Sequence, residues 1–224
     1  MRSLPRSDRL HSNHGAPASN LMPLPAAAPG RMLKHRRSID VEVFSRGNGL
    51  WEVDAHISDI KTRDAKLADG VRLAGVPIHD MLLRLVVDEK FNIVEAGAET
   101  RQMPYPGLCD QHGDAYARLV GLNLLKGFRA AVKERLGGVQ GCTHISEMGQ
   151  LLPTAVIQAF VGEVTDARES ADTGRRPFQI DGCHALRADG EAVRTHYPRW
   201  YRSPKAGSPD LADLFSPTSS ESPR

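Results

Sequence analysis

The sequence predicts an α+β domain in which an antiparallel sheet of two hairpins carries helices packed on one face. Apolar and polar residues alternate through much of residues 38–98, which is the period of half-buried strands. From residue 108 onward the apolar residues recur every three or four positions, which is the period of a helix. Strands followed by helices are typical of α+β domains. Because aromatic residues make up only 5% of the chain, we expect a mainly aliphatic core.

The first predicted hairpin joins residues 38–44 to residues 50–60. Ile39, Val41 and Val43 lie on one face of its first strand, and alternate residues from Trp51 to Ile57 lie on one face of its second strand. Between them, Asn48-Gly49 favours the positive φ angles of a tight turn.

The second predicted hairpin follows a polar loop over residues 61–76 and joins residues 78–88 to residues 91–98. Alternation places His79 on an apolar face, whereas Asp80 lies on the opposite face. The other members of the His79 face are Met81, Leu83, Leu85 and Val87.

The helical half begins with a short helix around Tyr116 and Leu119. A second helix starts after Gly127 and ends at Gly137-Gly138, as a glycine C-cap would end it. Thr143 is the predicted N-cap of a long last helix that reaches Phe160 and is kinked at Pro153. We expect a loop over residues 165–177 and a short hairpin over residues 178–194.

Charge and composition set the predicted domain limits. Residues 1–37 contain seven Lys or Arg residues and a single acid, so the rest of the chain is net negative. A net negative body argues against nucleic-acid binding, which usually needs a basic face. Residues 1–37 and 203–224 have the composition of disordered tails, which leaves a single domain at residues 38–202.

The same composition predicts no membrane span, because no apolar run approaches the ~18 residues that a span requires. The three cysteines are widely spaced and cannot form a disulfide framework. Unpaired cysteines of this kind indicate a reducing compartment, and we expect a cytoplasmic protein.

The leading candidate for chemistry is Cys142 with His144, after the glycines of residues 137–141. A thiol at a helix entrance is favoured as thiolate, which can act as a nucleophile or as a metal ligand. Glu147, in the first turn, could orient the histidine or act as a base. The alternative is a buried, inert cysteine, because free cysteine is among the most buried residue types.

Two further residues complete the predicted metal set of His79, Cys109, Cys142 and His144. His79 needs a hydrogen-bond partner or a metal if its face is buried, and a satisfied core histidine is the alternative. Cys109 also follows a turn glycine at the start of a helical segment. Mixed thiolate and imidazole ligands suit zinc or iron, so transition-metal binding is the first hypothesis.

Two other functions stay open at this point. The chain could be a thiol enzyme with Cys142 as nucleophile and His144 or His79 as base, or a non-enzymatic accessory protein whose cysteines only pack. Cys183 and His184 are adjacent, so on a strand they would point to opposite faces and would not share an ion. Substrate, partner and oligomeric state do not follow from the sequence, which lacks paired C-x-x-C motifs and nucleotide-binding loops.

Five segments taken together resemble a bacterial family, the domain of unknown function 2889 (DUF2889). The resemblance covers residues 34–202 and implies no activity, because the function of the family is unknown. The segments are Gly49-Leu50-Trp51, Ile78-His79-Asp80-Met81, Leu119-Val120-Gly121-Leu122, Gly137-Gly138 with Gly141-Cys142-Thr143-His144, and Cys183-His184-Ala185-Leu186.

The order of elements is also similar to that of iron–sulfur cluster scaffold proteins. That likeness would match Cys109 to their cysteine at a helix entrance, and Cys142 or His144 to a later ligand. The early Cys-Gly-Asp motif of the scaffolds is missing, and His79-Asp80 stands near its place.

Overall fold

A four-stranded antiparallel sheet is the centre of the computed structural model, which describes residues 24–165, 174 and 176–204. The sheet has the order β1-β2-β5-β6, so the predicted pair of hairpins and the α+β class are confirmed. Its strands are β1 (His35–Gly47), β2 (Leu50–Lys61), β5 (Pro77–Asp88) and β6 (Ile93–Gln102). A separate small hairpin of β3 (Ala65–Leu67) and β4 (Gly70–Arg72) lies in the segment predicted as a loop.

The turn between β1 and β2 follows the sequence prediction. Asn48 and Gly49 have φ angles of 54° and 72°, in the left-handed region that these two residues tolerate. At the other end, β1 begins at His35, inside the segment that composition assigned to a basic tail. Residues 1–23 of that tail, and residues 205–224, lie outside the described part of the chain.

Within the described part of the chain, four α-helices follow the sheet, and short 3₁₀ segments lie between them. The helices are α1 (Phe128–Leu136), α2 (Thr143–Gly149), α3 (Leu152–Phe160) and α4 (Glu191–His196). The predicted short helix around Tyr116 is a 3₁₀ helix, Gly113–Leu119. Nowhere in residues 24–165 and 176–204 does a helix have the length and apolar character that crossing a bilayer requires.

The predicted long last helix is wrong, because it is two helices separated by a turn at Gln150 and Leu151. Pro153 lies in the first turn of α3, where its missing N–H would have had no helical partner. The proline therefore marks a helix start and not a kink. Likewise, Thr143 is the first residue of α2, and Cys142, with extended backbone, is the cap residue.

The predicted hairpin over residues 178–194 is also wrong. That segment forms a 3₁₀ turn, His184–Leu186, followed by α4. Gly190 is the cap residue of α4, and the Arg187 side chain pairs with Asp189 just before it. The Asp189-Gly190 pair therefore starts a helix and does not turn a hairpin.

One hydrophobic core joins the inner face of the sheet to α1, α2 and α3. Alternate residues of β2 and β5, including Val53, Ile57, Leu83 and Leu85, are at most 1% exposed. They belong to the same cluster as the apolar residues of the helices, which are Phe128, Val132, Leu136, Ile145, Met148, Leu152, Val156 and Phe160.

The turn after α1 requires glycine for a steric reason. A Cβ at Gly137 would lie 2.2 Å from the carbonyl oxygen of Lys133, which is far closer than atoms can approach. Glycine at this position lets the chain leave α1 and enter the loop that leads to α2. The predicted helix end at Gly137-Gly138 is confirmed.

A second, smaller apolar cluster lies in residues 176–204. Ile180, Ala188 and Val193 form its buried part, and Leu186, Tyr197, Trp200 and Tyr201 pack against it. The limits predicted for the domain, residues 38 and 202, stay predictions.

Candidate metal centre

One end of the inner sheet face is polar. Strand register places Arg37 of β1 opposite Asp59 of β2, and Asp59 opposite His79 of β5. The next row along the same face is Ile39, Ile57 and Met81, which are apolar. The alternation that buries Ile57 therefore carries a carboxylate into the interior, and Asp59 is 3% exposed.

Both oxygens of Asp59 have hydrogen-bond partners. Arg37 donates from Nε to Oδ1 at 2.9 Å and from Nη2 to Oδ2 at 2.8 Å. His35 Nε2 lies 2.9 Å from Oδ1, and His79 Nδ1 lies 3.0 Å from Oδ2. The Oδ2 atom is the one that faces His79.

These contacts determine the protonation states of Asp59 and His79. Burial by itself would raise the pKa of Asp59, but the hydrogen bonds and charge of Arg37, with a contribution from His79, lower that pKa to about 2. Burial lowers the pKa of His79, and the Asp59 carboxylate opposes that effect only in part. Around neutral pH the site therefore favours an ionised Asp59 and a neutral His79.

Helix α2 brings His144 to this polar end. The His144 ring packs against the His79 ring with centroids 3.9 Å apart and an angle of 32° between the planes. His144 Nε2 lies 3.8 Å from Asp59 Oδ2. One ligand atom from each of Asp59, His79 and His144 lies within 4.8 Å of the others, a spacing that a single metal ion can span.

Cys142 lies on the other side of His144. Its Sγ is 3.8 Å from His144 Nδ1 and 3.8 Å from Met81 Sδ. Burial alone would raise the pKa of the Cys142 thiol, but His144 and the backbone N–H groups of Ile145 and His144 outweigh burial and lower it. Because Asp59 and Cys142 approach different nitrogens of His144, they are not positioned to share one ion in this ring orientation.

The backbone of Cys142 is held by a buried tyrosine. Tyr116, 1% exposed, accepts a hydrogen bond from the Cys142 N–H at 2.9 Å and donates one to the Cys142 carbonyl at 3.1 Å. This pair of bonds anchors the start of α2. The position of His144, two residues on, is fixed as a consequence.

The structure therefore brings together three of the four residues in the predicted metal set: His79, Cys142 and His144. Cys109 is not a member of the Asp59 group, and it lines a separate cavity together with Cys142. Glu147, which the sequence suggested as a partner of His144, instead accepts a hydrogen bond from Arg37 Nη1 at 2.8 Å. Cys183 is exposed, and all three cysteines are free.

Asp59 and Arg37 are the residues that the sequence analysis missed. Asp59 continues the alternation of Val53, Ala55 and Ile57 by one step, and Arg37 precedes Ile39 on the face of the partner strand in the same way. If each apolar stripe is continued by one more alternate residue, Asp59, Arg37 and His79 fall on the same face of the sheet.

The comparisons with known proteins give a family and no activity. The family described as "Protein of unknown function (DUF2889)" matches residues 35–158, which is more than half of the chain and includes every residue of the polar centre. No curated protein and no solved structure matches, so the likeness to iron–sulfur scaffolds gains no support. The resemblance noted in the sequence is thus confirmed, and the chain belongs to the DUF2889 family of proteins of unknown function.

Proposed function

We propose that this protein binds a transition-metal ion, zinc or iron, at Asp59, His79 and His144. The observation that carries the proposal is the convergence of one carboxylate oxygen and two imidazole nitrogens within 4.8 Å. Two histidines and one carboxylate are ligands that both metals accept. Three protein ligands leave positions for water or substrate, which is the arrangement of catalytic and sensing sites.

The protonation of the apo site supports the proposal. A metal ion needs a deprotonated carboxylate and a neutral imidazole, and these are the forms that the surroundings of Asp59 and His79 favour. An ion at Oδ2 would take the place of the hydrogen bond between Asp59 and His79. Oδ2 would keep the hydrogen bond from Arg37 Nη2, and the other oxygen, Oδ1, would keep its partners Arg37 Nε and His35.

Arg37 is compatible with an ion because its own charge is balanced. Its guanidinium lies between Asp59 and Glu147, with hydrogen bonds of 2.8 Å to each. Two carboxylates and one guanidinium leave the group with a net negative charge, which favours a cation. Arg37 thereby orients the Asp59 carboxylate, as the hydrogen-bond partners of metal ligands usually do.

The test is elemental analysis of tag-free protein purified without chelator, with matched variants. We expect about one zinc or iron per chain, lost in His79→Gln and His144→Gln. His56→Gln is the control, because His56 forms a similar pair with Asp80, 2.9 Å away on the opposite face of the sheet. Metal-free wild-type protein, or variants that keep their metal, would contradict the proposal.

A second candidate function is favoured by one specific arrangement. Cys142, His144 and Asp59 follow one another in space, with 3.8 Å from Sγ to Nδ1 and 3.8 Å from Nε2 to Oδ2. A thiol, a base and a carboxylate that orients the base are the parts of a cysteine nucleophile. A lowered thiol pKa supports the same role.

The two candidates give His144 different roles: it is a metal ligand in the first and the base for the Cys142 thiol in the second. The reactivity of Cys142 therefore separates them. The rate of Cys142 alkylation by iodoacetamide is measured against pH, with and without prior treatment with chelator. A thiol enzyme predicts a midpoint below the ordinary thiol value of 9.0 in both samples, and an upward shift in His144→Gln. If the protein contains no metal and Cys142 is unreactive, both candidates are excluded. The non-enzymatic accessory role then remains.

The free cysteines also support a location. Cys109, Cys142 and Cys183 are all unpaired, as is usual for proteins of a reducing compartment. We propose the bacterial cytoplasm.

A further inference from the structure

Two sulfur atoms and a ring nitrogen meet on the side of His144 that faces away from Asp59. Cys142 Sγ lies 3.8 Å from Met81 Sδ and 3.8 Å from His144 Nδ1. Neither sulfur belongs to the Asp59 group, and Asp59 approaches the other ring nitrogen, Nε2. A thiol, a thioether and an imidazole nitrogen therefore form a second group of possible metal ligands.

The spacing around the Cys142 sulfur fits an ion bonded to all three atoms. Metal–ligand bonds in proteins are about 2.3 Å to sulfur and about 2.0 Å to nitrogen. With angles of about 120° around the ion, two sulfurs would lie about 4.0 Å apart, and a sulfur and a nitrogen about 3.7 Å apart. Both observed separations are 3.8 Å, so Cys142 can share an ion with either neighbour after little movement.

The fold builds this group from one strand and one helix. Met81 follows His79 on the inner face of β5 and is 1% exposed. Cys142 is the cap residue of α2, and Tyr116 holds its backbone with hydrogen bonds of 2.9 and 3.1 Å. His144 lies in the first turn of α2, with 23% of its side chain exposed. One ligand is therefore buried in the core, and another can be reached from solvent.

The chemistry of the three ligands selects a soft metal. Thiolate and thioether sulfurs favour copper(I), and imidazole is also a good ligand for copper. Zinc in proteins is held by thiolate, imidazole and carboxylate, and a thioether is not among its usual ligands. The buried thioether of Met81, which faces the Cys142 sulfur, is therefore the observation that distinguishes copper(I) from zinc.

We propose that Cys142, Met81 and His144 Nδ1 bind one copper(I) ion. The Cys142 thiol releases its proton to solvent on binding, so the thiolate and the ion together are neutral, as a partly buried position requires. His144 then carries its proton on Nε2, 3.8 Å from the Asp59 carboxylate, and a carboxylate commonly orients a metal-bound histidine from that side. The site goes beyond the proposed zinc or iron centre and does not rest on it.

The test is an anaerobic titration of copper(I) into full-length, chelator-treated protein, in competition with the chromogenic chelator bicinchoninate. Cys109 and Cys183 are first replaced by alanine, because both are free thiols that could bind copper(I) themselves. We expect about one copper(I) per chain in this parent protein, and none when Cys142→Ser is added. A parent protein that binds no copper(I), or binding that survives Cys142→Ser, would overturn the proposal.

Two buried methionines give a matched pair of variants. Met81→Leu removes the thioether at nearly constant volume, which a core usually tolerates. It should weaken copper(I) binding at least roughly tenfold, since loss of even an outer partner costs a metal site about 10–100-fold. Met148→Leu is the control, because Met148 is fully buried in the same core, and it should bind as tightly as the parent. Equal affinities in the two variants would contradict the assignment of Met81.

The two metal sites should be lost in different variants. Met81→Leu should keep zinc or iron at Asp59, His79 and His144 while it loses copper(I), and His79→Gln should do the reverse. The two ions should also compete, because a neutral imidazole offers a single nitrogen lone pair. If Met81→Leu and His79→Gln each lose both metals, the two sites are not distinct and the copper(I) proposal is wrong.

X-ray absorption at the copper edge gives the direct readout. We expect two sulfur neighbours and one nitrogen neighbour around copper in the parent protein, and a single sulfur in Met81→Leu. A parent spectrum with a single sulfur neighbour would show that the thioether is not a ligand, and would overturn the site as proposed.

Discussion

Near the Asn48–Gly49 turn, a cross-strand row of the inner sheet face consists of Val43, Val53 and Leu85, whereas at the far end the row is Arg37, Asp59 and His79. Both rows consist of one residue from each of β1, β2 and β5, and in each strand the two residues lie on the same face because side chains alternate between faces. The first is covered by apolar helix residues, and the second meets His144 at the start of α2. The two rows occupy corresponding positions on the same face of the same three strands, and they differ in the character of their side chains.

The difference between the rows separates folding from function. Burial of the apolar row stabilises the fold by the hydrophobic effect, at about 25 cal/mol per Å². A fold does not require a buried ionic row, because replacing the whole row by well-packed apolar residues is often neutral or stabilising, although removing one partner alone is destabilising. The polar row therefore calls for a functional explanation, which the proposed metal site provides.

The largest effect is expected at the apolar end. Leu85→Ala removes a side chain that is fully buried in the main core, and should lower the free energy of unfolding by about 2–5 kcal/mol. Metal content per folded chain should be unchanged, because Leu85 lies in a cross-strand row at the opposite end of the sheet face from Asp59. Urea denaturation with chelator, and elemental analysis without it, measure the two quantities. Loss of metal from folded Leu85→Ala protein would show that the two ends are not independent.

At the polar end, Asp59→Asn should abolish metal binding. It should destabilise the metal-free protein less than Leu85→Ala does. The depression of the Asp59 pKa from 3.8 to about 2 corresponds to about 2 kcal/mol of stabilisation at neutral pH. Urea denaturation at pH 7 in the presence of chelator measures this loss. A stability equal to that of wild type would mean that the contacts of Arg37 and His79 with Asp59 contribute nothing to the fold.

The stability of the metal-free protein should depend on pH through two residues of the polar row, Asp59 and His79. The Asp59 pKa is lower in the folded chain than in the unfolded one, so its contribution is present above pH 3.8 and is lost as the pH falls toward about 2. The lowered pKa of His79 acts in the same direction below about pH 6.5, because the unfolded chain binds that proton first. Denaturation midpoints of metal-free protein should therefore fall in acid, and Asp59→Asn should flatten the segment between pH 4 and pH 2. An unchanged acid limb in that variant would rule out Asp59 as its cause.

The smallest effect is expected at the rim. Glu147→Gln removes a partly exposed ion pair with Arg37, and should cost roughly 0.5 kcal/mol or less. Metal should be retained but held more weakly, because Arg37 loses one of its two carboxylates. Competition with a chromogenic chelator measures the affinity. A loss of metal as complete as that of His144→Gln would place Glu147 among the ligands.

Alternation and turn chemistry were sufficient to predict the sheet. Ile39 to Val43, Asn48-Gly49 and the face of Met81 to Val87 are local patterns, and the structure follows them. The limits of the helices were harder to predict, because the same residues fit two structures. Pro153 can kink a helix or start one, and Asp189-Gly190 can form the turn of a hairpin or cap a helix. Packing decides between such alternatives, and a local pattern does not record it.

The candidate site was predicted only in part, for a related reason. His79, Cys142 and His144 stand out as chemical residues within recognisable elements. Asp59 looks like the polar end of a strand until strand register places Arg37 and His79 beside it, 22 and 20 residues away along the chain. Long-range pairing of this kind is fixed by the fold, so a single sequence does not reveal it.

The most direct test of the polar row is an anomalous-scattering map from crystals of protein purified without chelator, recorded at the zinc and iron edges. We expect one peak bonded to Asp59, His79 and His144 at about 2.0–2.2 Å, with the Arg37 hydrogen bond to Asp59 Oδ1 retained. A map without a peak, in which Asp59 still accepts its hydrogen bond from His79, would contradict the metal assignment.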